Sequence, residues 1–148
     1  PRAPDAGRTA VLTIYLDTSV LFSVFHEDDH SERVSAWLAQ LDTFAFSRWT
    51  IAEISSALGV QVRMRRLTAA ARRKLESELD GWLVGRPVCA LVDADHAHAR
   101  RLLRDDVRLR APDALHVAVA LRCGYRLATL DADMAAAARG LGLEVIAP

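Results

Sequence analysis

The chain has 148 residues, of which 51% are hydrophobic and 26% are charged, which predicts one packed domain and excludes a disordered chain. Its formal net charge is zero, so any attraction to nucleic acid must be local. No apolar run approaches the roughly 18 residues that a membrane span requires, and the N-terminal segment has no signal-peptide pattern. We therefore expect a cytoplasmic protein without membrane contact.

The first ten residues contain Pro, Gly and charged side chains, which predicts a flexible lead-in over 1–10 and a single domain over 11–148. Cys89 and Cys123 are far apart in the sequence, lie in apolar surroundings and lack C-x-x-C spacing. We predict that both are reduced core residues. The absence of a disulfide framework is also consistent with a cytoplasmic protein.

Short apolar, β-prone runs alternate with longer segments of helical period, which predicts an α/β fold with a mainly parallel sheet flanked by helices. The predicted strands, in chain order, are 11–16, 43–47, 87–91, 125–130 and 143–146. The predicted helices are 31–41, 51–62, 68–83, 93–105, 112–123 and 132–141. Gly124 is a plausible C-terminal stop for the fifth of these helices.

Four acids fall at strand exits or helix entrances. Asp17 and Asp131 directly follow strands, while Glu53 and Asp113 are assigned to the first turns of helices. Ligands of open parallel sheets bind in the crevice beyond the carboxyl ends of the strands. We therefore expect the four carboxylates to share one edge of the sheet.

Each acid also has a purely structural interpretation. Asp17 and Asp131 fit as N-caps of the helices that follow them, and Glu53 fits a capping box with Thr50. Asp113 in a first turn is favoured by the helix dipole. The sequence leaves both interpretations open for each acid.

Carboxylates that converge raise one another's pKa unless a cation compensates their charge. Ligand sets made only of oxygen favour hard ions such as Mg²⁺ or Mn²⁺, and such a cluster is suited to phosphodiester hydrolysis. The sequence has neither a nucleophile elbow nor a glycine-rich phosphate loop. The arginines clustered over 63–73 and 100–110 are either an RNA-binding rim or ordinary solvated helix faces.

Four motifs occur together, in order and at suitable separations: YLDTSVL at 15–21, TIAE at 50–53, RAPDALH at 110–116 and ATLDAD at 128–133. With these motifs the sequence resembles PIN-domain proteins, in particular the VapC-type toxins of toxin–antitoxin pairs. The resemblance covers nearly everything from residue 11 to the C-terminus. It implies a single PIN-like domain in which a mainly parallel sheet is flanked by helices in three α/β/α layers.

The resemblance also implies a divalent-metal-dependent endoribonuclease. The positions that match the family's catalytic, metal-binding acids are Asp17, Glu53, Asp113 and Asp131. Asp133 matches an additional, weaker metal-binding acid, and Thr18, Ser19 and Thr129 match positions near the site that orient water or substrate; Thr18 and Ser19 fit a helix-capping role equally well. Arg110 and His116 belong to a motif, and we expect them to be mainly structural. The implied cofactor is Mg²⁺ or Mn²⁺, and the implied partners are an RNA substrate, a cognate antitoxin and a second copy of the chain in a homodimer.

Three alternative functions differ from this one in partner, in activity or in chemistry. A housekeeping PIN nuclease in RNA processing would keep the fold and chemistry without an antitoxin. A non-catalytic PIN module would bind a metal or a basic peptide without cleaving RNA. A phosphatase or phosphorelay domain is disfavoured, because position 19 is Ser19 where a second acid is needed and the only lysine, Lys74, lies within a helix.

Overall fold

The computed structural model describes residues 13–148, so the predicted lead-in over 1–10 and the first two residues of the predicted strand 11–16 lie outside the described residues. The described chain forms one five-stranded sheet with the strand order β3-β2-β1-β4-β5, and every neighbouring pair is parallel. The strands are β1 Ile14–Leu16, β2 Phe44–Ser47, β3 Val88–Cys89, β4 Arg126–Ala128 and β5 Val145–Ile146. The predicted α/β class and parallel sheet are confirmed.

Seven helices connect the strands within the described part of the chain. They are α1 Thr18–Phe25, α2 Ser31–Leu38, α3 Arg48–Arg63, α4 Ala69–Leu83, α5 Asp93–Asp105, α6 Ala111–Cys123 and α7 Ala132–Gly140. No helix among residues 13–148 is long and apolar enough to cross a membrane.

The alternation of side chains along β1 divides the core into two layers. Ile14 and Leu16 pack with residues of α1, α2, α3 and α4 on one face, whereas Tyr15 packs with residues of α5, α6 and α7 on the other. Successive side chains of a strand point to opposite faces of its sheet, so a fully apolar central strand requires helices on both sides. The three-layer α/β/α architecture follows from this pattern.

The two strands predicted over 125–130 and 143–146 begin later in the structure because helix caps take up their first residues. Gly124 adopts the left-handed conformation with φ 65°, and the amide of Tyr125 then donates to the carbonyl of Ala120, so β4 begins only at Arg126. Gly142, with φ 80°, closes α7 in the same way, and the amide of Leu143 donates to Ala138. The predicted stop at Gly124 is therefore confirmed.

The two cysteines differ from the prediction. Both are free thiols, but both are half-buried and not fully in the core. Their side chains also contact each other, and burial together with this contact raises the pKa of Cys89 to about 11. A thiol with such a pKa remains protonated at neutral pH.

Candidate active site

A cleft of about 250 Å³ opens at the carboxyl edge of the sheet, where β1, β2 and β4 lead into α1, α3 and the segment before α7. All four acids that the sequence singled out line it. The lining residues are Asp17, Thr18, Ser19, Phe22, Glu53, Ala57, Arg110, Asp113, His116, Asp131 and Met134. The expectation that the four carboxylates share one edge agrees with this geometry.

Asp17 forms the buried floor of the cleft, with 2% of its surface exposed. Its Oδ1 accepts hydrogen bonds from the amide of Val20 at 3.1 Å and the hydroxyl of Ser19 at 2.7 Å, and its Oδ2 accepts one from Thr129 at 2.8 Å. Burial raises the pKa of Asp17, although His116 and these hydrogen bonds oppose the shift. Asp17 is thus both the N-cap of α1 and part of the cleft, so the two interpretations of this acid are compatible.

Glu53 occupies the second turn of α3, not the first, because the helix begins at Arg48. The predicted capping box between Thr50 and Glu53 is wrong: Ser47 is the N-cap, and Thr50 is its capping-box partner. The carboxylate of Glu53 is therefore available to the cleft. Its Oε2 lies 2.5 Å from Oγ1 of Thr18 and 2.6 Å from Nε2 of His116.

Burial would raise the pKa of Glu53, but the hydrogen bonds from His116 and Thr18 outweigh burial, so the pKa lies below its ordinary value. The pKa of the neighbouring acid Asp17 lies above its ordinary value, because burial raises it. The cleft therefore contains one acid that is stabilised in its charged form and one that is not.

A buried polar chain behind Glu53 holds its partner in place. His116 is 2% exposed, and its Nδ1 lies 2.9 Å from the hydroxyl of Tyr15, which donates to Oγ of Ser47 at 2.8 Å. Nε2 faces the carboxylate of Glu53, which can only accept, so Nε2 donates to it. The ring of His116 therefore connects Tyr15 to Glu53.

Asp113 and Asp131 lie on the other side of the cleft and share one arginine. Oδ2 of Asp113 accepts from the backbone amide of Arg110 at 3.1 Å and from its Nε at 3.2 Å. Oδ2 of Asp131 lies 3.6 Å from Nη2 of the same guanidinium, and its Oδ1 caps α7 through the amide of Met134 at 2.8 Å. Both acids therefore combine a capping contact with a position in the cleft.

The weaker sequence candidates divide into three groups. Thr18 and Ser19 line the cleft, and their hydroxyls bond to Glu53 and Asp17 respectively. Thr129 is buried beneath it and links Asp17 to the amide of Asp131 through bonds of 2.8 and 3.0 Å. Asp133 is exposed in the first turn of α7 and does not line the cleft, although its charge acts on Arg108 and Arg110.

The structure gives three residues a larger part in the site than the sequence predicts. Arg110 and His116, which we expect from the sequence to be mainly structural, both line the cleft and bind its acids. Tyr15 belongs to a sequence motif without a predicted role of its own, and in the structure its hydroxyl contacts Nδ1 of His116. A buried Tyr and a His on an apolar helix face usually need polar partners. This rule is the signal by which the sequence could have indicated a polar contact for Tyr15 and His116.

The donor set of the cleft fits a hard divalent ion by its chemistry, because carboxylate and hydroxyl oxygens surround it. The side chains do not yet form a coordination shell: within residues 13–148, no three Asp, Glu, His or Cys side chains stand close enough to hold one ion together. Asp113 and Asp131 face the guanidinium of Arg110 instead. An ion would therefore have to displace the guanidinium of Arg110 from these two carboxylates.

The fold and the acids at its carboxyl edge define a class of α/β protein with an acidic surface cleft. Comparison with known families identifies that class, since the model of the PIN domain matches residues 14–140. The chain therefore belongs to the PIN-domain family, whose members are generally nucleases. A search of curated proteins finds no match.

Solved structures of the same fold include one described as a toxin and one described as a toxin–antitoxin complex. FitAcB from Neisseria gonorrhoeae has a TM-score of 0.71 at 23% identity, and the alignment covers 92% of this chain and 98% of that one. VapC20 from Mycobacterium tuberculosis, described as a sarcin-ricin loop cleaving toxin, has a TM-score of 0.68 at 19% identity, with 92% and 100% covered. A toxin–antitoxin complex from Klebsiella pneumoniae has a TM-score of 0.64 at 20% identity, with 92% and 98% covered. At these identities the likeness shows the fold.

Proposed function

We propose that this chain is the toxin of a toxin–antitoxin pair and acts as a divalent-metal-dependent endoribonuclease. The observation that carries the proposal is the convergence of Asp17, Glu53, Asp113 and Asp131 on one cleft at the carboxyl edge of the sheet. These acids come from four separate parts of the sequence, and capping alone gives no reason for them to share a cavity.

In this proposal the four acids hold Mg²⁺ or Mn²⁺, and the exposed Asp133 contributes more weakly through water. A bound ion would supply activation of a water molecule and stabilisation of the negative charge that develops during phosphodiester hydrolysis. The catalytic acids are the same four residues, because binding the ion and positioning the attacking water are one task in such a site.

The surrounding residues give the acids their geometry. Thr129 and Ser19 hold the two oxygens of Asp17, so its carboxylate cannot rotate freely. His116 and Thr18 orient Glu53. Since Thr18 and Ser19 also line the cavity, their hydroxyls are suited to orient water or a substrate phosphate.

The same proposal includes partners. The cognate antitoxin would block the cleft, and structural neighbours such as the complex from Klebsiella pneumoniae support a partner of this kind. We also propose a homodimer, to be checked by light scattering on the purified chain. RNA is the proposed substrate and the cytoplasm the proposed place of action.

A housekeeping PIN nuclease is the alternative with the same chemistry. The two functions differ in their effect on growth: induced expression of a toxin arrests growth, and co-expression of a small adjacent reading frame restores it. Asp17→Asn should abolish the arrest without changing the amount of protein. Expression that leaves growth unaffected while the purified chain cleaves RNA would favour the housekeeping function.

Cleavage is tested with the purified chain, candidate RNAs and Mg²⁺ or Mn²⁺, with EDTA as the metal-free arm. Asp17→Asn, Glu53→Gln and Asp113→Asn should each reduce cleavage by about 100-fold or more, whereas Asp29→Asn, in an exposed loop, should behave as wild type. Equal cleavage by wild type and Asp17→Asn would contradict the proposal. Metal binding without cleavage of any RNA would point to the non-catalytic PIN module.

A further inference from the structure

Arg110 is the one Lys or Arg side chain among the described residues that line the acidic cleft. Its backbone amide and Nε bond to Asp113 at 3.1 and 3.2 Å, and its Nη2 lies 3.6 Å from Asp131. We propose that Arg110 is the counter-cation of the acidic cleft when no metal ion is bound, that a divalent ion would displace its guanidinium from Asp113 and Asp131, and that the displaced guanidinium would bind the phosphate backbone of the RNA substrate. This inference rests on the proposed nuclease function.

The first step is a competition for two carboxylates. The guanidinium occupies Oδ2 of Asp113 and approaches Oδ2 of Asp131, and both residues belong to the proposed metal-binding set. An ion bound between these acids and Asp17 or Glu53 would need the same oxygens. A guanidinium and a divalent ion cannot both bind one carboxylate oxygen from the same side.

The guanidinium of Arg110 is easy to displace from the two carboxylates. Its side chain is 76% exposed, so its ion pairs are screened by water and contribute little to stability. A divalent ion attracts each carboxylate with twice the charge. The helix cap survives the exchange, because the backbone amide of Arg110, which also bonds to Asp113, does not move with the guanidinium.

The third step concerns the displaced guanidinium. It remains at the mouth of the cleft, and its planar set of N–H donors is suited to bidentate contact with a phosphate. The neighbouring Arg108 is not equivalent, since its Nε and Nη2 bond to Asp106 at 2.9 and 2.6 Å. Arg108 is therefore a matched control: the same residue type, two positions away, and paired with an acid outside the cleft.

Arg110→Ala should strengthen the binding of Mn²⁺ and weaken the binding of RNA. In Arg110→Ala, Mn²⁺ should bind about 3-fold or more tightly in the absence of RNA, because the competitor is gone. The KM for RNA at saturating Mn²⁺ should rise about 10-fold with little change in kcat, because a contact to substrate is lost. Arg110→Lys should keep the weaker Mn²⁺ binding and recover part of the RNA affinity, and Arg108→Ala should match wild type in both assays.

The measurements are Mn²⁺ titrations of the full chain, followed by the electron paramagnetic resonance signal of free Mn²⁺, and steady-state cleavage of a short RNA. Thermal melts confirm that each variant is folded. An Arg110→Ala variant that binds Mn²⁺ as weakly as wild type, or more weakly, overturns the inference even if wild type is an active nuclease. Failure of wild type to bind Mn²⁺ or to cleave RNA overturns the proposed function, and the inference with it.

Discussion

Thr129 and Asp17 are 112 positions apart in the sequence, yet the hydroxyl of Thr129 donates a hydrogen bond of 2.8 Å to Oδ2 of Asp17. A second link runs beside it, because the amide of Leu130 donates to Oγ of Ser19, whose hydroxyl bonds to Asp17 at 2.7 Å. The exit of β4 is thereby joined to the start of α1. The position of the buried acid depends on these two hydroxyls.

Thr129→Val should reduce cleavage of RNA by about 10–100-fold, in the range found when the residues that support metal ligands are removed. The valine keeps the shape but leaves Oδ2 of Asp17 and the amide of Asp131 without their partner. The loss of stability should be about 1–3 kcal/mol. Steady-state kinetics and urea unfolding measure the two effects.

Thr129→Ser is the control for that substitution, because it retains the hydroxyl and removes one methyl group. It should keep most of the activity. If Thr129→Ser loses as much activity as Thr129→Val, packing of the methyl group is responsible and the hydrogen bond is not.

Asp17→Asn should stabilise the metal-free protein while removing its activity. Burial raises the pKa of Asp17, so the folded chain binds this proton more tightly than the unfolded chain does. Stability is therefore lost as the pH rises through the folded pKa, and a neutral amide avoids that loss. We expect the melting temperature in EDTA at neutral pH to rise by about 2–4 °C.

The pH dependence provides the check on this explanation. The difference in melting temperature between Asp17→Asn and wild type should shrink in acid, where Asp17 itself becomes neutral. A variant that melts below wild type in EDTA at neutral pH would contradict the prediction. Excess Mn²⁺ should reverse the order, since only wild type gains stability from the ion.

The regular parts of the fold were predictable because they depend on local patterns. The helix Asp93–Asp105 has the predicted bounds, and the stop at Gly124 follows from the left-handed conformation that glycine tolerates. Strand ends were less predictable, because residues such as Tyr125 and Leu143 have strand-like character but serve as helix caps. Whether such a residue begins a strand or caps a helix depends on the residues on either side of it.

Only part of the candidate site could be predicted from the sequence. Convergence of the four acids followed from the rule that parallel strands end at one edge, which needs no knowledge of contacts. The hydrogen-bond partners of Glu53 could not be predicted from that rule. The sequence alone favoured Thr50, three residues before it, whereas the structure supplies Thr18 and His116 from other elements. Pairing across 35 and 63 positions depends on how α1, α3 and α6 pack, and no local spacing encodes it.

Tyr15→Phe should weaken both the fold and the site. Loss of the hydroxyl leaves Nδ1 of His116 without its buried partner and removes one hydrogen bond of Oγ of Ser47, which keeps the amide of Thr50, at a cost of about 1–3 kcal/mol. His116 then holds Glu53 less firmly, so kcat should fall by about 10-fold. Tyr125→Phe is the matched control, because Tyr125 is half-buried at the end of α6 and outside the cleft. Equal effects of the two substitutions on kcat would exclude a role for the Tyr15 hydroxyl.

Glu53→Gln should reveal a pH-dependent contribution to stability. The hydrogen bonds from His116 and Thr18 hold the pKa of Glu53 below its ordinary value despite burial, so the folded state is stabilised when this acid is charged. That stabilisation is complete above the ordinary pKa and is lost as the pH falls through the folded pKa. Urea unfolding in EDTA should give wild type an advantage of about 1–2 kcal/mol near pH 6, which narrows steadily below about pH 4.

The control for this titration is Glu78→Gln. Glu78 is half-exposed and pairs with Lys74 at 3.6 Å on the surface of α4, so its substitution should have a small effect at every pH. An advantage of wild type over Glu53→Gln that stays constant or widens in acid would contradict the stabilisation of the charged form of Glu53. In that case the hydrogen bonds from His116 and Thr18 would not favour the carboxylate over the neutral acid.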